Sequence, residues 1–236
     1  MPRTPIWKSI AATLSDEIAA GQYKAGDKLP TEAQLASRFG VNRHTVRHAL
    51  GALADNSVVH SRRGAGVFVA HNPTEYPIGR RVRYHQNLRA AGRAPAREIL
   101  TSETRRANPD EADALDLQAG ALVHVQEGLS LADGQPIAIF RGAYPAKAFP
   151  NFLVDLAETG SVTEAFARAG LSDYTRSSTR LTAKRATPTQ ALHLQIREGD
   201  PVLRTVSIEV APDGTPIQYG HTWFAGDRVT LTLSDP

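Results

Sequence analysis

The chain repeats its own punctuation. Arg106-Ala107-Asn108-Pro109, followed by Ala112, Leu115, Gly120 and Val123, recurs 79 residues later as Arg185-Ala186-Thr187-Pro188, followed by Ala191, Leu194, Gly199 and Val202. Asp133-Gly134-Gln135-Pro136-Ile137 returns 80 residues on as Asp213-Gly214-Thr215-Pro216-Ile217. Each first motif reads as a capped helix followed by a strand, and Asp-Gly between apolar runs is a strong hairpin signal. The pattern predicts two helix-and-hairpin halves sharing a mainly antiparallel sheet; two copies are too few for a solenoid.

The first seventy residues follow another rhythm. Thr4-Pro5 reads as an N-cap and first helical residue, after which Ile6, Ile10, Leu14 and Ile18 recur at helical spacing until Gly21. Thr31 with Gln34 three residues on forms a capping box ahead of Ala33, Leu35, Ala36 and Phe39, and this second helix stops at Gly40. Asn42 caps a third helix with Val46, Ala49, Leu50 and Leu53 inward and Arg43, His44, Arg47 and His48 outward. Two short helices joined by Phe39-Gly40-Val41-Asn42 fit a helix-turn-helix whose second member lies in a DNA major groove; the competing reading is an ordinary helical hairpin with a wet basic face. Arg43 and Arg47, four apart, would point together toward base edges, and Thr45 would add a phosphate or thymine-methyl contact. Val58-Val59-His60 and Val67-Phe68-Val69-Ala70 predict two strands around Ser61-Arg62-Arg63-Gly64-Ala65-Gly66. This is a wing whose glycines admit close backbone approach and whose arginines suit phosphates or the minor groove. With no third glycine and no following helix, it is not a dinucleotide loop.

The charge distribution agrees. Residues 1–70 hold nine Lys/Arg against five Asp/Glu and residues 80–106 eight arginines against two glutamates, whereas 107–236 hold ten against sixteen. The asymmetry predicts a polyanion partner for the first part and a separate task for the rest, although charge alone fits a solvated basic face equally well. With no cysteine the chain has no disulfide, thiolate nucleophile or cysteine-based metal site, which sets a redox role aside. No run of roughly 18 apolar residues is present to span a bilayer, and the opening Met-Pro-Arg-Thr-Pro-Ile-Trp lacks a signal peptide's apolar core, so the expected location is the cytoplasm.

The N-terminal residues resemble the GntR-type regulators through Leu29-Pro30-Thr31-Glu32, Leu35-Ala36-Ser37-Arg38-Phe39-Gly40-Val41-Asn42-Arg43, Thr45-Val46-Arg47 and Gly64-Ala65-Gly66-Val67-Phe68-Val69. The resemblance covers nearly all of the first seventy residues. It implies a winged helix-turn-helix that meets double-stranded operator DNA through Arg43, Thr45, Arg47 and the wing glycines. The DNA-contacting candidates are Thr31, Gln34, Arg43, His44, Thr45, Arg47, His48, Arg62, Arg63, Gly64, Ala65 and Gly66. Gln34 and Ala65 stand where many members carry arginine or another polar side chain, which leaves the operator sequence open. One short recognition helix reads too few bases for a genome-scale search, so a homodimer on a pseudo-palindrome is expected.

Two prolines between Asn72 and Gly79, and the arginine-rich stretch after them, read as a linker. The expected boundaries are 1–71 for the winged domain, 72–83 for the linker and 84–236 for an effector domain, an α+β architecture overall. Helical spacing resumes over 161–169. The arrangement of Ala132-Asp133-Gly134, Tyr144-Pro145, this helix and Gly226-Asp227-Arg228 resembles the UTRA effector domain of HutC-type GntR regulators, over roughly residues 76–234. That fold is related to chorismate lyase, so an enzyme has to be weighed. The chain has no metal-spaced His/Asp/Glu cluster, no Gly-x-Ser-x-Gly elbow and no cysteine, whereas a paired acid and base stays open. His124 and Glu127 fit sheet positions better than catalytic ones. Binding without chemistry, metal or cofactor is the expectation, ahead of a lyase-like enzyme tethered to DNA and of an architectural DNA binder with no effector.

Finer motifs, Tyr76-Pro77-Ile78-Gly79-Arg80-Arg81, Asp173-Tyr174-Thr175-Arg176 and Tyr219-Gly220 to Gly226-Asp227-Arg228, resemble the phosphonate-metabolism branch. That resemblance implies repression of genes for organophosphonate uptake or breakdown, with a phosphonate, phosphate or related anion as signal; a HutC-type regulator of sugar or amino-acid catabolism is the alternative. Several sugar- or amino-acid-sensing members carry two arginines on the strand before Ala-Asp-Gly, where this chain has Gly128 and Ser130. By resemblance Arg83, Ser161 and Thr163 align with ligand-contacting positions, and Arg83 would move positive charge to the linker side of the site. The effector-binding candidates are Arg83, Tyr84, His124, Ser161, Thr163, Tyr174, Arg176, Gln218 and Phe224. Ser161 and Thr163 open a helix whose N–H groups would attract an anion; the competing reading leaves Arg83 and Arg176 solvated or paired with Asp173 and Glu164.

Overall fold

The computed structural model describes residues 5–233 except 57, 63, 71, 72 and 82. It divides into two compact units, residues 1–72 and 73–236. In the first, α1 (Ile6–Ala19), α2 (Glu32–Phe39) and α3 (Arg43–Asp55) precede an antiparallel pair, β1 (Val59–Arg62) and β2 (Gly66–Val69). The caps are those the sequence predicts. Gln34 N donates to Thr31 Oγ1 while the Gln34 side chain accepts from Thr31 N (2.8 Å), and Asn42 Oδ1 accepts from Thr45 N (2.9 Å); each such cap contributes about 1 kcal/mol. Between α2 and α3 the chain must reverse within three residues, and Gly40 does so at φ 64°, where a side chain would be strained. Leu14, Leu35, Val46 and Ala49 are completely buried and meet Val59 and Val69 in the core. Burying each leucine stabilises the unit by roughly 1.5–3 kcal/mol. One expectation is corrected: Pro5 stands at the N-cap of α1 with an extended ψ of 137°, and is not its first helical residue. Thr4 lies outside the described residues.

The second unit runs β3 (Thr74–Pro77), α4 (Tyr84–Ala90), β4 (Pro95–Arg106), α5 (Pro109–Ala114), β5 (Leu122–Ala132), β6 (Gln135–Pro145), α6 (Phe152–Thr159), α7 (Val162–Arg168), β7 (Thr175–Arg185), α8 (Pro188–Leu194), β8 (Pro201–Val210), β9 (Pro216–Ala225) and β10 (Val229–Thr232). The segment expected to be a linker contains β3, which pairs in parallel with β10 and buries Tyr76, with Ile78 just after it, against Leu88, Ile137, Phe224 and Val229. Six strands form one antiparallel sheet ordered β4-β5-β6-β9-β8-β7. The repeat explains this order: β4-α5-β5-β6 is one copy and β7-α8-β8-β9 the other, joined where β6 pairs with β9. The irregularities recur as well. Register slips at Ile99/Thr101 and Ser130/Leu131 have counterparts at Arg176/Ser178 and Glu209/Val210. Capping boxes of Asn108 with Glu111 and Thr187 with Gln190 open α5 and α8 beside their prolines. Tyr144, Phe149, Phe152, Phe166 and Tyr174 pack α6 and α7 onto the sheet. Among the described residues no helix is long and apolar enough to cross a membrane.

Candidate functional site

Among the described residues, each unit has a place where polar side chains gather on an open surface or around a cavity. On the first, α3 exposes Arg43, His44, Arg47 and His48. Arg47 is held rather than extended: its Nε and Nη2 donate to the two carboxylate oxygens of Glu32 on α2 (3.0 and 2.7 Å). That hydrogen bonding is the main reason the Glu32 carboxyl lies below the usual carboxylate range. His48 stacks on Trp7 of α1 with ring centroids 4.1 Å apart. Thr31 and Gln34 direct their side chains to the cap of α2, and the Thr45 hydroxyl donates to Asn42 Oδ1 (3.0 Å). The wing turn passes through Gly64 and Ala65 to Gly66, which lies against the Lys28 side chain. Arg63 and the side chain of Arg62 lie outside the described residues. An exposed helix end carrying Arg43 and His44, an ion pair that a phosphate can exchange with, and a glycine-bearing wing form a surface suited to a nucleic-acid duplex.

The second unit contains a cavity of about 230 Å³, smaller than the roughly 300–1,000 Å³ of drug-sized pockets. Alternate residues of the sheet make its floor, and α4 and the start of α7 contribute to its walls. Eight of the nine effector candidates line it: Arg83, Tyr84, Ser161, Thr163, Tyr174, Arg176, Gln218 and Phe224. Arg83 Nη2 donates to the Tyr174 carbonyl (2.9 Å), and its guanidinium lies 3.6 Å from the centroid of the Tyr174 ring. Thr163 Oγ1 and the Tyr174 hydroxyl are hydrogen-bonded at 3.0 Å. Ser161 Oγ accepts from Glu164 N (3.3 Å), so the protein itself caps α7. Arg176 pairs with Glu209 through Nε and Oε1 at 2.7 Å, while Asp173 pairs with Arg81.

His124 is the exception, and its place is corrected. Its ring does not line the cavity: Nε2 lies 3.1 Å from the Phe149 carbonyl and Nδ1 2.7 Å from Thr104 Oγ1. A carbonyl only accepts, so Nε2 carries the proton and Nδ1 accepts from the threonine. Burial lowers the His124 pKa and keeps the ring neutral.

Arg97, Ser207 and Glu209, none of them among the effector candidates, also line the cavity, as does Ser130. The Arg97 guanidinium carbon lies 4.5 Å from the Phe140 ring centroid and 5.0 Å from that of Tyr84. Arg97 stands across from Ser130, and Arg176 across from Glu209. The 79-residue offset carries Arg97 to Arg176 and Ser130 to Glu209. The repeat is therefore the signal that could have found Arg97, as the counterpart of Arg176. Gly128 has its own reason. A Cβ there would stand 2.3 Å from the Glu98 carbonyl oxygen and 2.9 Å from the Phe140 ring; an arginine at this position has no room. Four arginines (Arg83, Arg89, Arg97 and Arg176) face Glu164 and Glu209 around the cavity, while the Arg141 side chain is turned to Glu111 (3.3 Å). Burial lowers the pKa of His85 and of His221, and pushes the Tyr76 and Tyr84 hydroxyls up to about 12, so both phenols stay protonated donors. The balance favours an anionic ligand. Among the described residues no three His, Asp or Glu side chains gather as metal ligands.

Comparison with known proteins follows the same division. Residues 7–69 match the bacterial regulatory proteins of the gntR family and residues 90–230 match the UTRA domain. The chain is 37% identical to an uncharacterized HTH-type transcriptional regulator of Rhizobium meliloti, over 97% of this chain and 94% of the relative. It is 31% identical to the “Probable transcriptional regulator PhnF” of Escherichia coli, over 96% of this chain and 94% of that one. The crystal structure of PhnF from Mycobacterium smegmatis superposes with a TM-score of 0.66 at 25% identity, covering 96% of this chain and 99% of that chain.

Proposed function

The chain belongs to the GntR family of bacterial transcription regulators, in the group whose effector domain is UTRA; from that premise we propose a cytoplasmic homodimer that represses genes for organophosphonate uptake or breakdown and leaves its operator when a small anion binds. The group is one of ligand-responsive, non-catalytic DNA-binding regulators. The observation that carries the effector reading is the cavity's charge, four arginines against two glutamates around a small space. Similarity to PhnF of two organisms supports the phosphonate branch. The operator is double-stranded DNA with half-sites about 10 base pairs apart or a little more, each read by α3 of one protomer. Residues 1–71 bind it, and the second unit, residues 73–236, holds the effector in the cavity that Tyr76, Ile78 and Arg83 help to line. Arg43, His44, Thr45 and Arg47 meet the major groove; Arg62, Arg63 and the wing backbone meet phosphate.

A gel-shift series on the DNA upstream of the neighbouring genes, with phosphate, alkylphosphonates and aminophosphonates, tests this. The wild-type chain releases DNA as the anion rises, whereas Arg83→Ala keeps operator affinity and loses release. An Arg83→Ala chain that lets go at the wild-type effector concentration rules the site out. Release by a sugar phosphate or amino acid alone assigns the regulator to another catabolic pathway.

A further inference from the structure

The two halves of the sheet differ at one pair that faces the cavity. In the second half Arg176 has a carboxylate across the strand, and its Nε donates to Glu209 Oε1 at 2.7 Å. In the first half Arg97 has only Ser130 there, and Arg97 Nε is buried with no hydrogen-bond partner among the described residues. Glu209 is 2% exposed, and its second oxygen, Oε2, is also buried and without a hydrogen-bond partner among the described residues. Both side chains line the same cavity. They act on the same phenols with opposite sign: at Tyr76, Tyr144 and Tyr174 the charge of Arg97 lowers the pKa and that of Glu209 raises it.

A buried charged group with an unmet hydrogen bond is costly, and a ligand that meets it recovers that cost as affinity. A simple anion would meet Arg97 but would set a second negative charge toward Glu209 Oε2. A ligand with a cationic end removes that repulsion and fills both vacant valences. We propose that the effector is a zwitterion, its anionic head seated on Arg97 and a protonated amine seated on Glu209 Oε2. This rests on the reading of the cavity as the effector site and specifies its ligand class.

Titration calorimetry of the full-length chain at neutral pH, with 2-aminoethylphosphonate, 2-hydroxyethylphosphonate and ethylphosphonate, tests it. The three probes share the anion and differ at the other end. The amine binds about tenfold or more tightly than either of the others, the size expected for a buried charge-assisted hydrogen bond. Glu209→Gln brings 2-aminoethylphosphonate down to the level of ethylphosphonate and does not weaken ethylphosphonate; Arg97→Gln weakens all three. The wild-type series stands without any variant, and a melting curve verifies that Glu209→Gln is folded. Equal wild-type affinity for the three probes overturns the zwitterion and leaves the anionic-effector reading intact. An amine preference that survives in folded Glu209→Gln overturns the seat on Glu209. Failure of all three probes and of inorganic phosphate to bind overturns both readings.

Discussion

An arginine and a glutamate meet at 2.7 Å in each unit, and the two pairs have different consequences. Arg47 and Glu32 have side chains 62% and 33% exposed; Arg176 and Glu209 have 15% and 3%. The distances are the same, so solvent makes the difference. Water and salt screen the exposed pair, so a competing partner for the guanidinium would replace the carboxylate at little cost. The buried pair is desolvated, and losing one member leaves an uncompensated charge inside the unit. The first pair is exchangeable, while the second is a fixed part of the cavity floor.

The largest expected effect comes from breaking the buried pair. Arg176→Ala strands Glu209 and lowers the stability of the second unit by about 3–5 kcal/mol. Urea unfolding followed through Trp223, in a Trp7→Phe background that silences the first unit, reads this directly. A loss below about 1 kcal/mol would place the pair in the same class as an exposed one and end the comparison.

Next in size are the effects on operator binding. Arg43→Ala weakens it by about 5- to 150-fold where the side chain reads a base. Arg47→Ala weakens it too, and leaves the unfolding midpoint within experimental scatter because its pair is exposed. Arg62→Ala lowers affinity for operator and random duplex alike, as a phosphate contact does. A titration against both duplexes separates these roles; unchanged specificity in Arg43→Ala and Arg47→Ala would sink the assignment of α3 as the recognition helix.

What was legible in the sequence was local or periodic. Thr31, Asn42, Asn108 and Thr187 each cap the helix they precede, because a cap is decided within three residues of its own N–H groups. Two helix-and-hairpin halves sharing one mainly antiparallel sheet followed from the repeat. The parallel pairing of β3 with β10 did not, since it joins Thr74 to Val229 and no local signal marks a partner that far along the chain. Two prolines made β3 look like a linker; on a two-stranded edge they do little harm. Family resemblance marks Arg83, Ser161 and Thr163, whereas Arg97 and Glu209 owe their place to cross-strand register. His124 went astray because alternation along β5 does not say what covers each face, and here Phe149 and Thr104 do.

Acid should act on the second unit through its histidines. The pKa values of His85, His124 and His221 are all lowered, with burial as the largest cause. A lowered folded-state pKa means the unfolded chain binds protons first. The stability these rings contribute is therefore complete at neutral pH and is lost as pH falls below about 6.5 toward their lower folded values. The Trp223 midpoint declines over that window, and His124→Gln makes the decline shallower. A midpoint flat between neutrality and about pH 5 would show that burial does not hold these rings neutral.

The smallest effect sharpens the comparison most, because it asks what the exposed pair does when DNA is near. Glu32 accepts both Arg47 hydrogen bonds, and its carboxylate is one of the five acidic groups among the first seventy residues. Glu32→Gln keeps the size and one acceptor but removes the charge that competes with DNA for the guanidinium. Operator affinity then rises by less than about fivefold, the ceiling for an exposed pair, and random duplex gains by a similar factor because the change is electrostatic. Specificity is unchanged. The matching substitution Glu209→Gln leaves operator affinity without effector as it was, since that carboxylate lines the cavity of the second unit, which we propose as the effector site. A Glu32→Gln chain that binds its operator more weakly than wild type, with random duplex unaffected, would reverse the interpretation: Glu32 would then be a positioning residue that holds Arg47 in its reading pose, and the exposed pair would be as much a part of its site as the buried one is of the cavity.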